Sequence, residues 1–317
     1  MIKTAEQIKE LLKKSSRAII CAHVDPDGDA IGSMLALGMV CNKLGLETVY
    51  YCADNLPKIY RFLPHAGEIT RELPDGQFDV VLTVDSSDLS RIGNKIDLRK
   101  LAKVVVNIDH HPDNTHFGDI NYVQKASSAA ELVFDLAQAW LVGLDKAMAD
   151  CLYTAMITDT GNFRYENTTI KTFQIAGELL KAGVSTHEIS TKIYDTKTLP
   201  SIKISARALA GLQISPDKKI AWAYVTEEMM RETKAEGEDL IGIVDRLRSI
   251  EGVEVAVFFR EKAGEIKINF RSKERVNVCE LAKRFQGGGH FKAAGAVVKG
   301  ELIKVIDQVI GETTRVV

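Results

Sequence analysis

Residues 23–29 of the chain read His23-Val24-Asp25-Pro26-Asp27-Gly28-Asp29. The apolar run before this stretch, residues 18–22, predicts a buried strand, and residues 30–44 after it predict a helix. In an open α/β sheet, ligands bind beyond the carboxyl ends of the strands, where loops bring together side chains from different strands. Residues 23–29 are therefore predicted to form a functional turn between a strand and a helix.

Three carboxylates and one imidazole make this turn unusual. The N-terminus of a helix attracts phosphate, but three carboxylates would repel a bare polyanion unless a cation lay between them. The alternative interpretation is an Asp-rich turn in which Asp29 only caps the following helix. Two roles are equally open for Asp25: it is a metal ligand, or it forms a hydrogen bond to a metal ligand. The further motifs described below favour a metal site.

Length and composition describe an ordinary globular protein. The 317 residues exceed what one hydrophobic core usually supports, so two domains are expected. Hydrophobic residues make up 45% and charged residues 26%, which excludes a largely disordered chain. The formal net charge of -2 argues against non-specific binding of long DNA, whereas a short anionic substrate remains compatible.

The five cysteines are scattered, and no two form a Cys-x-x-Cys pair. This usage is typical of buried thiols in a reducing compartment. The first residues lack the apolar core of a signal peptide, and no apolar run approaches the roughly 18 residues that span a bilayer. We therefore expect a cytoplasmic protein that does not bind membranes.

Two more predicted strands end in metal-type side chains. Asp85 follows the apolar run 80–84, and an Asp-His-His run that begins at Asp109 follows residues 104–108. If these strands are parallel, their side chains converge in one crevice. Asp159 lies at the end of a predicted helix. The predicted metal ligands are therefore His23, Asp27, Asp29, Asp85, His110 and Asp159.

Four carboxylates and two imidazoles suffice for two divalent ions that share a bridging carboxylate. Oxygen and nitrogen ligands without thiolate favour a harder first-row ion such as Mn²⁺, with Mg²⁺, Co²⁺, Fe²⁺ and Zn²⁺ as alternatives. Two ions roughly 3.5–4 Å apart can generate hydroxide from a bridging water and clamp both oxygens of an in-line displacement at phosphorus. The predicted reaction is hydrolysis of a phosphate ester.

The predicted fold class is α/β in two domains with the active-site cleft between them. Residues 1–187 are expected to form a mainly parallel sheet flanked by helices, and residues 210–317 a smaller α/β domain. Residues 188–209 are interpreted as the connector, because the segment contains Pro200 and many small polar or basic residues.

The second predicted domain has a local basic excess. Residues 260–292 contain nine Lys or Arg and four Glu, a local charge of +5. A solvated basic face would explain the charge alone. However, Arg271 can grip phosphate or stack on a base, and the glycine run that begins at Gly287 allows backbone N–H groups to approach an anion. The segment is therefore a candidate nucleotide site.

Taken together, the motifs resemble those of the DHH phosphoesterase superfamily. The resemblance rests on residues 23–29, Val84-Asp85, Asp109-His110-His111 and Asp159. Arg271-Ser272-Lys273 and Gly287-Gly288-Gly289-His290 resemble the associated C-terminal domain. The combined pattern spans nearly the whole chain and is most similar to the bacterial nanoRNase and pAp phosphatase (NrnA-like) family.

The resemblance implies roles for individual residues. One Mn²⁺ would be held by His23, Asp27 and Asp85, and the other by Asp29, Asp85, His110 and Asp159. Asp109 would orient the site, and His111 would contact the scissile phosphate. The substrates would be short oligoribonucleotides and pAp. They would be bound by Arg271, Lys273, Gly287, Gly288, Gly289 and His290.

Several alternatives stay open at this point. A manganese pyrophosphatase has similar metal motifs, a RecJ-like enzyme would digest long single strands, and hydrolysis of pApA from cyclic di-AMP could accompany the main activity. A catalytically silent nucleotide sensor is the alternative outside the enzymes. The sequence leaves open the cleavage polarity, the preferred length, the physiological metal and whether the chain forms a homodimer.

Overall fold

The computed structural model describes residues 2–73, 76–93 and 96–317, apart from the side chains of Ile2 and His290. The chain divides into two compact units, Met1–Asp195 and Thr196–Val317. Within these described ranges, no helix is long and apolar enough to cross a membrane.

The first unit is built on a six-stranded sheet in which every neighbouring pair is parallel. Its strands are β1 (Arg17–Cys21), β2 (Glu47–Tyr51), β3 (Ile69–Thr70), β4 (Val80–Val84), β5 (Val104–Asp109) and β6 (Ile120–Val123). The spatial order is β3-β2-β1-β4-β5-β6, so the order reverses between β1 and β4. Ligands of such sheets bind at this reversal, beyond the carboxyl ends of the strands. The predicted parallel sheet is confirmed.

The helices of the first unit are α1 (Ile2–Lys13), α2 (Gly28–Lys43), α3 (Leu98–Leu101), α4 (Ala129–Ala139), α5 (Lys146–Asp159), α6 (Ile170–Lys181) and α7 (Thr186–Ser190). Helix α2 is buried around most of its circumference, as its apolar sequence predicts. It packs so closely on α5 that a Cβ atom at Gly32 would lie 2.4 Å from the Cys151 carbonyl oxygen. This packing fixes the two helices that carry ligands from different parts of the chain.

The second unit contains a mixed sheet. Its strands are β7 (Gln213–Ile214), β8 (Ile220–Val225), β9 (Val255–Lys262), β10 (Glu265–Ser272), β11 (Gly288–His290) and β12 (Ala293–Lys299), in the order β11-β12-β10-β9-β8-β7. Strands β8 and β9 are parallel and the other described pairs are antiparallel. The helices are α8 (Leu199–Ala210), α9 (Glu227–Thr233), α10 (Ile243–Arg248), α11 (Val278–Lys283) and α12 (Leu302–Thr314). The second α/β unit expected from the sequence is therefore present.

Residues 188–209, interpreted as a connector, are mostly helical in the structure. The division between the units falls inside this stretch, after Asp195. Ile193 is buried in the core of the first unit, whereas Ile204 is buried in a core of the second. Pro200 lies in the first turn of α8, where the missing N–H costs no hydrogen bond, and Thr198 caps that helix. The proline marks the start of a helix.

Candidate metal centre

The six predicted metal ligands lie together at the carboxyl edge of the parallel sheet. They come from the turn after β1, from the ends of β4 and β5, and from the last residue of α5. Three groups of side chains have ligand atoms within 4.8 Å of one another: His23, Asp27 and Asp85; Asp29, His110 and Asp159; Asp85, His110 and His111. The first group contains the same residues as one predicted ligand set, and the second contains three of the four residues of the other set, without Asp85. The ion that each residue holds stays a prediction.

Asp27 and Asp29 each stabilise a helix N-terminus while facing the site. Asp27 Oδ1 accepts hydrogen bonds from the N–H groups of Asp29 and Ala30, both at 3.0 Å, so Asp27 is the cap of α2. The interpretation of Asp29 as that cap is wrong. Asp29 lies in the first turn of α2, and its carboxylate accepts from the N–H groups of Ala129 at 2.6 Å and Ala130 at 3.1 Å, at the start of α4. The positive ends of the α2 and α4 helix dipoles thus stabilise the negative charge of the acidic cluster.

Asp85 is the central side chain of the cluster. It is 2% exposed and has a left-handed backbone with φ of 54°, which Asp tolerates better than most residues. Its Oδ2 lies 3.5 Å from His23 Nε2, and its Oδ1 lies 3.3 Å from His110 Nε2. Among the described residues, Oδ1 is buried without a hydrogen-bond partner. A divalent cation satisfies such an oxygen, so the donor set fits a metal centre.

The imidazoles of His23 and His110 are oriented as metal ligands usually are. His23 Nδ1 lies 2.7 Å from the Val24 carbonyl oxygen, and His110 Nδ1 lies 3.3 Å from that of Ala126. With the proton on Nδ1, each ring donates to a carbonyl and turns the lone pair of Nε2 toward the carboxylates. A second hydrogen bond of this kind fixes the tautomer and orientation of a metal-binding histidine.

His111 is held by Asp109 rather than by the main ligand cluster. Its Nδ1 lies 2.7 Å from Asp109 Oδ1 and 3.5 Å from Asp85 Oδ1. Asp109 is fully buried, and its Oδ2 accepts a hydrogen bond from Asn114 Nδ2 at 2.6 Å. Burial lowers the pKa of His111, but the hydrogen bond to Asp109 and the negative charges of Asp85 and Asp109 together outweigh burial, so the pKa is raised. This shift favours the protonated ring, in which both nitrogens are hydrogen-bond donors.

Crowding perturbs the carboxylates of the cluster in opposite directions. Burial and the neighbouring Asp85 raise the pKa of Asp29 well above its usual range, and burial raises the pKa of Asp159 to about 7. Burial alone would also raise the pKa of Asp85, but His110 and His23 hold it well below its usual range. A bound cation would favour the ionised form of Asp29 and Asp159 and would therefore oppose the rise of both pKa values.

Sequence reasoning missed three polar side chains that support the site. Asn114 holds Asp109, as described above. Ser33 Oγ donates to Asp29 Oδ1 at 2.9 Å from one turn further along α2, a spacing that the helical period could have indicated. Asn167 Nδ2 lies 3.3 Å from Asp159 Oδ2 and 2.8 Å from the Ser127 carbonyl oxygen. Asn167 lies beyond the end of α5, and no pattern in the sequence relates it to the site.

The predicted substrate-binding residues of the second unit lie at one end of its sheet. Arg271 pairs with Ala293 across the β10–β12 ladder, and Ala293 pairs with His290 across the β11–β12 ladder. Arg271 Nη1 donates to the Phe270 carbonyl oxygen at 3.0 Å. Lys273 Nζ donates to a carbonyl oxygen after α10 at 3.1 Å. The two motifs are therefore two strands apart within the second unit.

The glycine run has a structural role that the sequence did not indicate. A Cβ atom at Gly287 would lie 2.1 Å from a backbone oxygen of β12, and one at Gly289 would lie 2.5 Å from another. Close pairing with β12 therefore requires both glycines. A Cβ atom at Gly288 would meet no atom within 4 Å, so Gly288 remains the candidate for anion contact. The side chain of His290 lies outside the described residues, and its role stays a prediction.

Comparisons with known proteins agree with the motifs. Residues 17–156 match the family model described as "DHH family, N-terminal domain", and residues 217–313 match the one described as "DHHA1 domain". The first match covers five of the six candidate ligands and ends before Asp159. The resemblance drawn from the motifs is confirmed.

Similar proteins extend along both units. A protein of Thermus thermophilus named bifunctional oligoribonuclease and PAP phosphatase NrnA is 33% identical, with 97% of this chain and 94% of that relative covered. A protein of the same name from Bacillus subtilis is 29% identical, with 88% of each covered. A solved structure described as an exopolyphosphatase-related protein from Bacteroides fragilis has a TM-score of 0.90 and 27% identity, and covers 98% of this chain and 96% of that chain.

Proposed function

Because this chain belongs to the DHH family, we propose that it is a metal-dependent phosphoesterase that degrades short oligoribonucleotides to mononucleotides and removes the 3′-phosphate of pAp to give AMP. One observation carries the proposal: buried Asp85 is shared by groups of side chains that could each hold an ion. The names of the relatives from Thermus thermophilus and Bacillus subtilis support this choice of substrates.

We assign the two ions as Mn²⁺, in agreement with the oxygen and nitrogen donors. His23, Asp27 and Asp85 would hold one ion, and the other would be held by Asp29, Asp85, His110 and Asp159. Two metal ions held in this way would supply hydroxide near neutral pH and would neutralise the charge of the phosphoryl group. The buried carboxylates and the Nδ1-bonded imidazoles keep the ligand atoms oriented for that task.

His111 is the residue that we assign to the phosphate itself. The raised pKa favours the protonated ring, which would donate a hydrogen bond to a phosphate oxygen as negative charge develops there. Asp109 holds Nδ1 of the ring, and Asn114 holds Asp109. This chain of hydrogen bonds would keep the donor in position during the reaction.

The second unit would recognise the nucleotide. Arg271 offers a guanidinium that grips phosphate in two hydrogen bonds or stacks on a base, and Gly288 offers an unobstructed backbone. In our proposal Lys273, Gly287, Gly289 and His290 complete this site. The substrate would be short, because a long nucleic acid requires many contacts between basic side chains and phosphates. Residues 260–292 offer a local charge of only +5 for such contacts.

The experiment compares substrates under one set of conditions. End-labelled ribo-oligomers of two, five and twenty nucleotides, pAp, pApA and pyrophosphate are incubated with the protein and Mn²⁺, and again with chelator. We expect turnover of pAp and of the two- and five-mers, a marked fall toward the twenty-mer, and no turnover with chelator. The dinucleotide pApA should be hydrolysed as a short substrate.

Other results would identify an alternative. Fast processive digestion of the twenty-mer would favour a RecJ-like exonuclease, and selective hydrolysis of pyrophosphate would favour a pyrophosphatase. Binding of pAp without turnover in any divalent metal would favour a nucleotide sensor. Cytoplasmic location and a homodimer remain predictions. The free cysteines, four of them buried, agree with a reducing compartment.

A further inference from the structure

A second cationic side chain lies beside the metal centre, on a 3₁₀ turn that no motif includes. The turn, Leu89–Ile92, follows Asp85 and the end of β4. The Val24 N–H donates a 2.7 Å hydrogen bond to the carbonyl oxygen of Arg91. This bond fastens the turn to the loop that contains His23, so the backbone of Arg91 is fixed next to a candidate ligand.

Arg91 is partly buried, and no carboxylate or carbonyl pairs with its guanidinium in the part of the chain that the structure describes. The acidic residue of the same turn, Asp88, is already engaged: its carboxylate accepts from the Ser90 N–H at 2.8 Å and from the Thr115 hydroxyl at 3.3 Å. In contrast, Arg99 of the same unit forms an ion pair with Asp119. Arg91 therefore has donors available for an anion.

The guanidinium of Arg91 has only hydrogen-bond donors and carries a permanent positive charge, so it is not a metal ligand. Its natural partner beside the metal centre is an anionic group.

The proposed substrates carry more than one phosphate. In the proposed reaction, two divalent ions and His111 already neutralise the phosphate that is cleaved. A further arginine on the same sheet edge matches a second anionic group, because a guanidinium can donate two parallel hydrogen bonds to one phosphate.

We propose that Arg91 is a positioning residue that binds the non-scissile phosphate of the substrate, such as the 5′-phosphate of pAp or the neighbouring phosphate of a short oligonucleotide. This inference rests on the proposed function. Arg91 would thereby make the metal unit itself selective for substrates with two phosphates, in addition to the nucleotide contacts assigned to the second unit.

The test compares pAp with adenosine 3′-phosphate, which has the same scissile bond and lacks the 5′-phosphate. Loss of one charge-assisted pair of hydrogen bonds corresponds to a change of about 10- to 100-fold. In Arg91→Ala we expect KM for pAp to rise by about that factor, with kcat and the KM for adenosine 3′-phosphate little changed. The KM of Arg91→Lys for pAp should lie between those of the wild type and of Arg91→Ala. Added guanidinium should partly lower the KM of Arg91→Ala for pAp.

The matched control is Lys103→Ala, which removes one exposed positive charge just before β5, at the opposite edge of the sheet. It should leave both KM values unchanged. Equal changes for the two substrates in Arg91→Ala, or loss of bound Mn²⁺, would overturn the inference, because a purely structural role predicts both.

Equilibrium binding of pAp in Ca²⁺ provides a readout without turnover. Weaker binding to Arg91→Ala by about 10- to 100-fold, with normal binding to Lys103→Ala, would support the inference even if the wild type hydrolysed neither compound. A wild-type protein that hydrolyses neither compound would refute the proposed function but not the role of Arg91. Normal pAp hydrolysis and binding by Arg91→Ala would refute the role of Arg91 alone.

Discussion

Asp85→Asn is the substitution that separates metal binding from folding. Asp85 has a left-handed backbone, with φ of 54°, and Asn adopts that conformation more readily than Ala does. The amide has the same size as the carboxylate but carries no charge. The substitution therefore removes the shared ligand without a cavity or added backbone strain.

The size of the effect follows from the position of the two carboxylate oxygens. One lies 3.5 Å from His23 and the other 3.3 Å from His110, which belong to the two different ligand sets. The first assigned ligand set would lose one of its three ligands. The second set would lose one of its four ligands. Loss of an outer-shell partner alone costs about 10- to 100-fold in metal affinity, so we expect more than about 100-fold here. Turnover should fall by at least about 10³-fold.

The assay measures bound Mn²⁺, hydrolysis of pAp and thermal unfolding of the same preparations. The control is Asp88→Asn, which changes a carboxylate three residues away that caps the 3₁₀ turn and belongs to none of the described ligand groups. Asn is also a good cap, so this variant should keep its metal, activity and fold. The metal-free forms of both variants should unfold near the wild-type temperature.

Full Mn²⁺ content with normal turnover in Asp85→Asn would refute the shared-ligand reasoning. A large loss of thermal stability in the metal-free variant would also contradict it, since the role of Asp85 would then be structural. Equal losses in Asp88→Asn would mean that the acidic loop acts only through its net charge.

Four further predictions concern His111, Asp159 and Arg271. His111→Ala should lower kcat by about 10²–10³-fold with Mn²⁺ retained, and loss of the metal in elemental analysis would make His111 a ligand. Because the pKa of Asp159 is raised to about 7, Mn²⁺ affinity measured by calorimetry should fall as the pH drops below 7. The same raised pKa favours the protonated fold, so the metal-free protein should lose stability as the pH rises from about 4 to 7, and a rise in its melting temperature over that range would contradict this assignment. Arg271→Ala should raise KM for pAp and short oligomers more than for a model phosphodiester without a base, and equal losses on the model ester would place Arg271 in the chemistry.

Local patterns were sufficient to predict the metal unit. Each of the apolar strands β1, β4 and β5 is followed at once by its ligands, so the parallel sheet could be predicted together with the convergence of His23, Asp85 and His110. The strand order could not be read from the sequence, because it depends on which strands pair. The hydrogen bonds from the start of α4 to Asp29 of α2 were also hidden, since Asp29 and Ala129 are 100 residues apart.

The second unit shows why composition is a weaker guide. Pro200 was interpreted as part of a connector, but a proline in the first turn of a helix is favourable, and the buried face of α8 becomes evident only from its packing. Similarly, Gly287 and Gly289 were interpreted through anion binding, yet the closeness of β12 requires them. Long-range contacts of this kind leave no local signal in the sequence.

Titration of the metal-free protein with Mn²⁺, followed by electron paramagnetic resonance, tests the two-ion centre most directly. Two ions that share Asp85 would lie roughly 3.5–4 Å apart and would be magnetically coupled. We predict two Mn²⁺ per chain, a coupled spectrum that appears together with pAp hydrolysis, and loss of both in Asp85→Asn. One uncoupled Mn²⁺ per chain in a fully active protein would contradict the account.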